Sequence, residues 1–191
     1  MRTTVYVEKK PGYRIREEAL LREIREVLSI TGVQGLRVIQ RYDLDGLPAE
    51  HIESACVNLL ADPVCDIVSE ALPISPEETA FAYAYHPGQF DQRADSAAEG
   101  LRLISGEPAV AVRCVTVIAL RGTPEPREVE RIRSYLVNPV DSHRGTATPS
   151  GGSPPARAGR RRVKSSPRSR PMKASGTRVV APPLRPSWAW R

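Results

Sequence analysis

The chain has 191 residues with 28 Lys and Arg against 22 Asp and Glu, a formal +6 that is unevenly spread. From His143 onward there are twelve basic residues and no acidic one, so residues 1–142 carry 16 basic against 22 acidic side chains, net −6. The basic total therefore gives no reason to assign the folded part to nucleic acid or an anionic membrane, and three cysteines without a C-x-x-C pair fit neither a zinc site nor a disulfide framework.

About 140 residues suffice for a hydrophobic core without covalent staples. Cys56, Cys65 and Cys114 read as small apolar residues of a reducing compartment. No apolar run approaches the length of a membrane span and Met1-Arg2 leads straight into a strand-like segment, so the expected location is cytoplasmic.

The first predicted element is a strand over Thr3 to Glu8, with Val5 and Val7 on one face. Glu8, Lys9 and Lys10 read as its solvated end, and Pro11-Gly12 as the turn that stops it. Leu20, Leu21, Ile24, Val27 and Leu28 then recur as one helical stripe. Leu36 to Tyr42 reads as a second strand, Pro48 as the first turn of a helix carrying Ile52, Ala55, Cys56, Leu59 and Leu60, and Asp66 to Leu72 as a third strand.

The same order then returns. Thr79 to Tyr85 is a strand, Ala94 to Ile104 an amphipathic helix, and Ala109 to Leu120 a long β-branched strand. Thr123 is the expected N-cap, before Pro124, of a helix with Val129, Ile132 and Leu136 on its apolar face. At an offset of 76 residues, Pro11-Gly12 matches Pro87-Gly88 and Leu60 to Val64 matches Leu136 to Val140, with 11 identities in 62 ungapped pairs over Val5 to Asp66. Matched turn residues argue for two copies of one unit. The expected fold is α+β, two tandem βαβαβ units (3–72 and 79–142) forming an intrachain pseudo-dimer, with helices on a face of a mixed sheet.

Residues 143–191 contain 8 prolines and 10 arginines and no periodic apolar stripe, so a disordered tail is expected. Two origins fit this composition: an evolved basic arm, with Arg160 to Lys164 able to meet phosphates, or out-of-frame translation of a G+C-rich gene.

EKKPG at Glu8 to Gly12, RVIQRYDLDGL at Arg37 to Leu47, LLADPV at Leu59 to Val64, HPGQFDQRADSAAE at His86 to Glu99 and YLVNPVDS at Tyr135 to Ser142 carry a family likeness. Over residues 3–142 the chain resembles the amino-terminal domain of the large, single-chain form of phosphoribosylformylglycinamidine synthase. Its first 66 residues also resemble that family's small stand-alone subunit. The resemblance implies the ATP- and glutamine-dependent ligase of purine biosynthesis, with ATP and Mg acting in domains that the likeness does not reach. The implied role is a scaffold for the synthetase and glutaminase domains, with no catalytic, cofactor or metal residue of its own. A stand-alone module for a small ligand or self-association is the competing expectation.

The chain has no Walker phosphate loop, no G-x-G-x-x-G and no G-x-S-x-G. The densest polar stretch is His86 to Ser96. Within it His86, Gln89, Phe90, Asp91, Gln92, Arg93, Asp95 and Ser96 are candidates for domain docking or for lining an ammonia route. Asp91 and Asp95, four apart, fit helix-start electrostatics, docking or a metal pair.

Overall fold

The computed structural model describes residues 2–148. These fold as α+β, with one six-stranded sheet and four helical segments. The strands are β1 (Arg2–Lys9), β2 (Val33–Asp45), β3 (Asp66–Ser69), β4 (Glu78–Tyr85), β5 (Ala111–Gly122) and β6 (Ser142–Gly145), in the sheet order β3-β1-β2-β5-β4-β6. Helices α1 (Ile15–Glu26), α3 (Gln92–Ser105) and α4 (Pro126–Leu136) are regular. The helix expected at Ile52 to Leu60 is instead composite: a 3-10 turn Ala49–His51, an α-helical turn Ile52–Ala55 (α2) and a π turn Cys56–Leu60.

Every strand pair is antiparallel, which corrects the expected mixed sheet. The cause lies in where α1 goes. β1 pairs only with the second half of β2, Glu8 opposite Ile39, so residues 33–38 of β2 run on past the end of β1. Helix α1 packs its Leu20, Leu21 and Ile24 over Leu36 and Val38 on that overhang and over Phe81, Ile118 and Leu120 of the neighbouring strands. It leads away from β1 instead of folding back over it, and β2 returns in the opposite direction.

Registers recur at the offset seen in the sequence. Arg2 stands opposite Asp45 in β1 and β2, and residues 76 further on, Glu78 and Arg121, stand opposite each other in β4 and β5. Tyr6 opposite Ser69 is matched likewise by Ala82 opposite Gly145. Gly12 and Gly88 sit at φ of 91° and 90°, a left-handed turn conformation that glycine adopts without steric cost.

From Gly35 onward in β2, and along β5, even-numbered residues face the helices and odd-numbered ones the other side, as strand alternation requires, while the irregularity between Val33 and Gly35 leaves Val33 in the helix-face core. On the helix face one core gathers Tyr42, Leu44 and Cys114 under α2 and α3, and a second gathers Val38, Ile118 and Leu120 under α1 and α4. The opposite face buries Tyr6, Ile39, Val115, Val117 and Ala119 with Leu72, Ile74 and Ala147.

Three local expectations are corrected. The sequence boundary at residue 142 falls too early: His143 to Gly145 complete β6, Thr146 O accepts from Arg41 Nη1 at 2.7 Å, and Ala147 joins the core. The rest of the expected tail, from residue 149, lies outside the described residues. Helix α4 is capped by Glu125, with Pro126 at its first position and Glu128 accepting from the Glu125 N–H at 2.8 Å, and not by Thr123. Glu8 is not a solvated strand end. It is 7% exposed and takes hydrogen bonds from Arg37 Nη1 at 2.9 Å and Arg14 Nη2 at 3.3 Å, while Arg37 also donates to Glu78 Oε2 at 2.9 Å. Lys9 pairs with Asp66 at 2.7 Å, and Lys10 donates to the carbonyl of Val64 at 2.9 Å.

Candidate functional site

Most of the polar stretch that the sequence singles out lies at the start of α3. Asp91 is the N-cap residue. Its Oδ1 accepts from the backbone N–H of Arg93 at 3.0 Å and of Ala94 at 3.1 Å, satisfying two of the free amides of the first turn. Asp95 is exposed one turn later, and both carboxylates complement the helix dipole. Asp91 thus has a helix-start role whatever else it does. Among the described residues there is no cluster of three or more His, Cys, Asp or Glu able to hold a metal ion.

Arg93, though an exposed residue, donates from Nη1 to the Tyr42 hydroxyl at 3.2 Å, tying α3 to β2. Gln92 and Ser96 reach the same region. The remaining candidates separate from it. Gln89 uses its backbone N–H in the turn to His86 O at 2.9 Å, and Phe90 stands 70% exposed. The His86 ring lies 3.1 Å from Pro139 O through Nε2 and stacks on His143 at 5.3 Å between centroids. His143 Nδ1 is buried without a hydrogen-bond partner among the described residues.

A groove of about 550 Å³ opens on the helix face, and Asp91, Gln92, Arg93 and Ser96 form one wall. Arg16 of α1 also lines it, and Gln40, Tyr42, Tyr83 and Thr116 of β2, β4 and β5 contribute from the sheet. None of these five was singled out from sequence. The available signal was the pair Gln40 and Thr116, polar residues among the apolar helix-facing positions in the middle of the central strands and 76 residues apart. Thr116 Oγ1 donates to Gln40 Oε1 at 3.2 Å.

Cys114 also borders the groove, but burial pushes its thiol up to about 12, with the charge of Asp91 adding to the effect and Arg93 opposing it. A thiol held protonated to that degree is a poor nucleophile at neutral pH. Burial likewise raises Cys56 to about 11. Tyr42 is raised by burial against the opposing Arg93 hydrogen bond, so its hydroxyl stays neutral and able to accept. Guanidinium groups, phenols and an amide thus line the groove. Among the described residues no helix is long and apolar enough to cross a membrane.

Comparison of the chain with family models, with curated proteins and with solved structures returned no match.

Proposed function

We propose that this chain carries the amino-terminal domain of a large, single-chain phosphoribosylformylglycinamidine synthase, in which it serves as scaffold and docking surface for the synthetase and glutaminase domains. The observation that carries this reading is the repeat. The segments most similar to the family, His86 to Glu99 among them, fall inside a unit whose strand registers recur at the 76-residue offset. That recurrence supports two tandem βαβαβ units arranged as an intrachain pseudo-dimer, each helix-face core combining the first helix of one unit with the second helical segment of the other.

The α3 start suits docking. Phe90 is an exposed aromatic beside hydrogen-bonding Gln89, Gln92 and Asp95, the mixture of apolar anchor and polar rim that interfaces favour. Chemistry in this family belongs to the other domains, so the domain itself turns over neither glutamine nor ATP.

The test uses a homologous enzyme from which the amino-terminal domain has been deleted. Adding this chain in trans should restore association and glutamine-driven turnover. A purified chain that neither binds the remaining domains nor restores any turnover overturns the reading. In the intact homologue, substitutions equivalent to Arg93→Ala and Asp95→Ala should reduce glutamine-driven activity more than activity driven by added ammonia. Full glutamine-driven turnover and domain association in both variants sink the docking and ammonia-route roles together.

A further inference from the structure

Several hydrogen-bond donors of the helix-face groove are left uncommitted. Arg16 makes no ion pair or hydrogen bond among the described residues, and Arg93 spends only one contact, on the Tyr42 hydroxyl. Gln40 uses its carbonyl on Thr116, leaving its amide N–H groups for the groove, and Tyr83 brings a half-buried phenol. The one carboxylate in the wall, Asp91, has Oδ1 committed to two backbone amides of α3. Unspent donors around a groove of about 550 Å³ match a ligand that brings acceptors, and the volume is that of a small-molecule site.

The donor set is not a by-product of the repeat. Residues 76 positions away from Tyr42, Tyr83 and Arg93 are Ile118, Val7 and Glu17, two apolar core residues and an acid. The phenols of Tyr42 and Tyr83 and the guanidinium of Arg93 therefore have no like residue at the matched positions.

We propose that this groove binds a small molecule with an oxyanion headgroup and a flat ring, the headgroup held by Arg16 and Arg93 and the ring lying against Tyr83. Bidentate guanidinium contacts suit a phosphate monoester or a carboxylate equally, and the two are separated by experiment. The site stands on the groove's own residues and does not depend on the family reading.

The intact chain should be titrated with phenyl phosphate, benzoate, inorganic phosphate and benzyl alcohol, following amide shifts of Gln40, Arg93 and Thr116. Phenyl phosphate or benzoate should give saturable shifts at these residues, and whichever binds more tightly identifies the headgroup. Inorganic phosphate should bind more weakly than phenyl phosphate, and benzyl alcohol should not saturate. Arg16→Ala and Arg93→Ala should each raise Kd by about tenfold or more, since a lost hydrogen bond to a charged group is worth at least that factor. Both side chains are exposed enough for the variants to keep wild-type spectra elsewhere, and if Arg93→Ala unfolds the chain, Arg16→Ala decides. The proposal is overturned if no oxyanion saturates, if benzyl alcohol binds as tightly as the anions, or if affinity is unchanged in the folded arginine variants.

Discussion

Gln40 and Thr116 stand directly opposite one another in the β2–β5 ladder, joined side chain to side chain at 3.2 Å, and they are separated by the same 76 residues that separate the matched turns. A two-fold arrangement of two equal units needs one such self-matched pair where its axis crosses the sheet. On either side the regular ladder extends to Gly35 opposite Arg121 and Asp45 opposite Ala111, with Val33 opposite Gly122 beyond a register shift.

Dividing the chain in the linker between β3 and β4 tests this organisation. Residues 2–75 and 76–148, produced as two chains, should associate one to one. Opening the β2–β5 ladder leaves fully buried Val33, Ile39, Val117 and Leu120 facing water along an unpaired strand edge. Size-exclusion chromatography with light scattering reads the outcome. Two halves that remain folded monomers when mixed would show that the ladder does not hold the fold together.

Glycine substitutions should separate two causes of cost. Gly122 has φ of 126°, and a Cβ there would lie 2.3 Å from the carbonyl oxygen of Gly32. Gly88 has φ of 90° with nothing within 4 Å of its would-be Cβ. Gly88→Ala should cost about 1 kcal/mol, the strain of a left-handed backbone alone. Gly122→Ala adds a backbone clash and should cost about 3 kcal/mol or more. Urea midpoints measure both, and equal losses would mean that the Gly32 approach relaxes freely.

Much of this architecture is legible in the sequence because periodicity and turn chemistry are local. The offset carries β1 onto β4 residue for residue, and the apolar stripes of α1, α3 and α4 follow from spacing. Strand direction is not local. Apolar alternation looks the same in parallel and antiparallel strands, and only the path of α1 over the β2 overhang decides between them. Thr123 and Glu125 are both acceptable caps beside a proline, and the choice falls to Glu125 because Glu128 accepts from its N–H. The groove was the least legible part. Arg16, Tyr42 and Tyr83 come from three elements far apart in sequence, and each taken alone reads as an ordinary surface or core residue. Arg93 was singled out for its polar neighbours, whereas its contact with Tyr42 spans 51 positions.

The cysteines should react in a definite order. Burial holds Cys56 and Cys114 at about 11 and about 12, so both are protonated at pH 8. Cys65 is a free, half-buried cysteine with its Sγ 3.2 Å from Lys9 Nζ. Brief iodoacetamide treatment of the native protein, read by peptide mass spectrometry, should label Cys65 first. Labelling of Cys114 at the same rate would show that the groove floor opens on the timescale of the reaction.

Glu8 gives the fold a pH dependence whose sign is set by burial. Burial raises its pKa above the usual carboxylate range, and the neighbouring Arg37 and Arg14 pull the other way without cancelling it. The folded chain therefore holds this proton more tightly than the unfolded chain does. By linkage, the contribution of Glu8 to stability is fully present below the unfolded value of about 4.3 and is lost as pH rises through the folded value. Glu8→Gln removes the titration while keeping the size of the side chain. The stability of the wild type relative to Glu8→Gln, from denaturant midpoints at a series of pH values, should accordingly fall as pH rises above the unfolded value. A difference that grows with pH would mean that the ion pair to Arg37 outweighs burial in the folded state. The direction of that slope thus decides whether the Glu8, Arg37 and Glu78 cluster stabilises the sheet by its charge or is tolerated there at a cost.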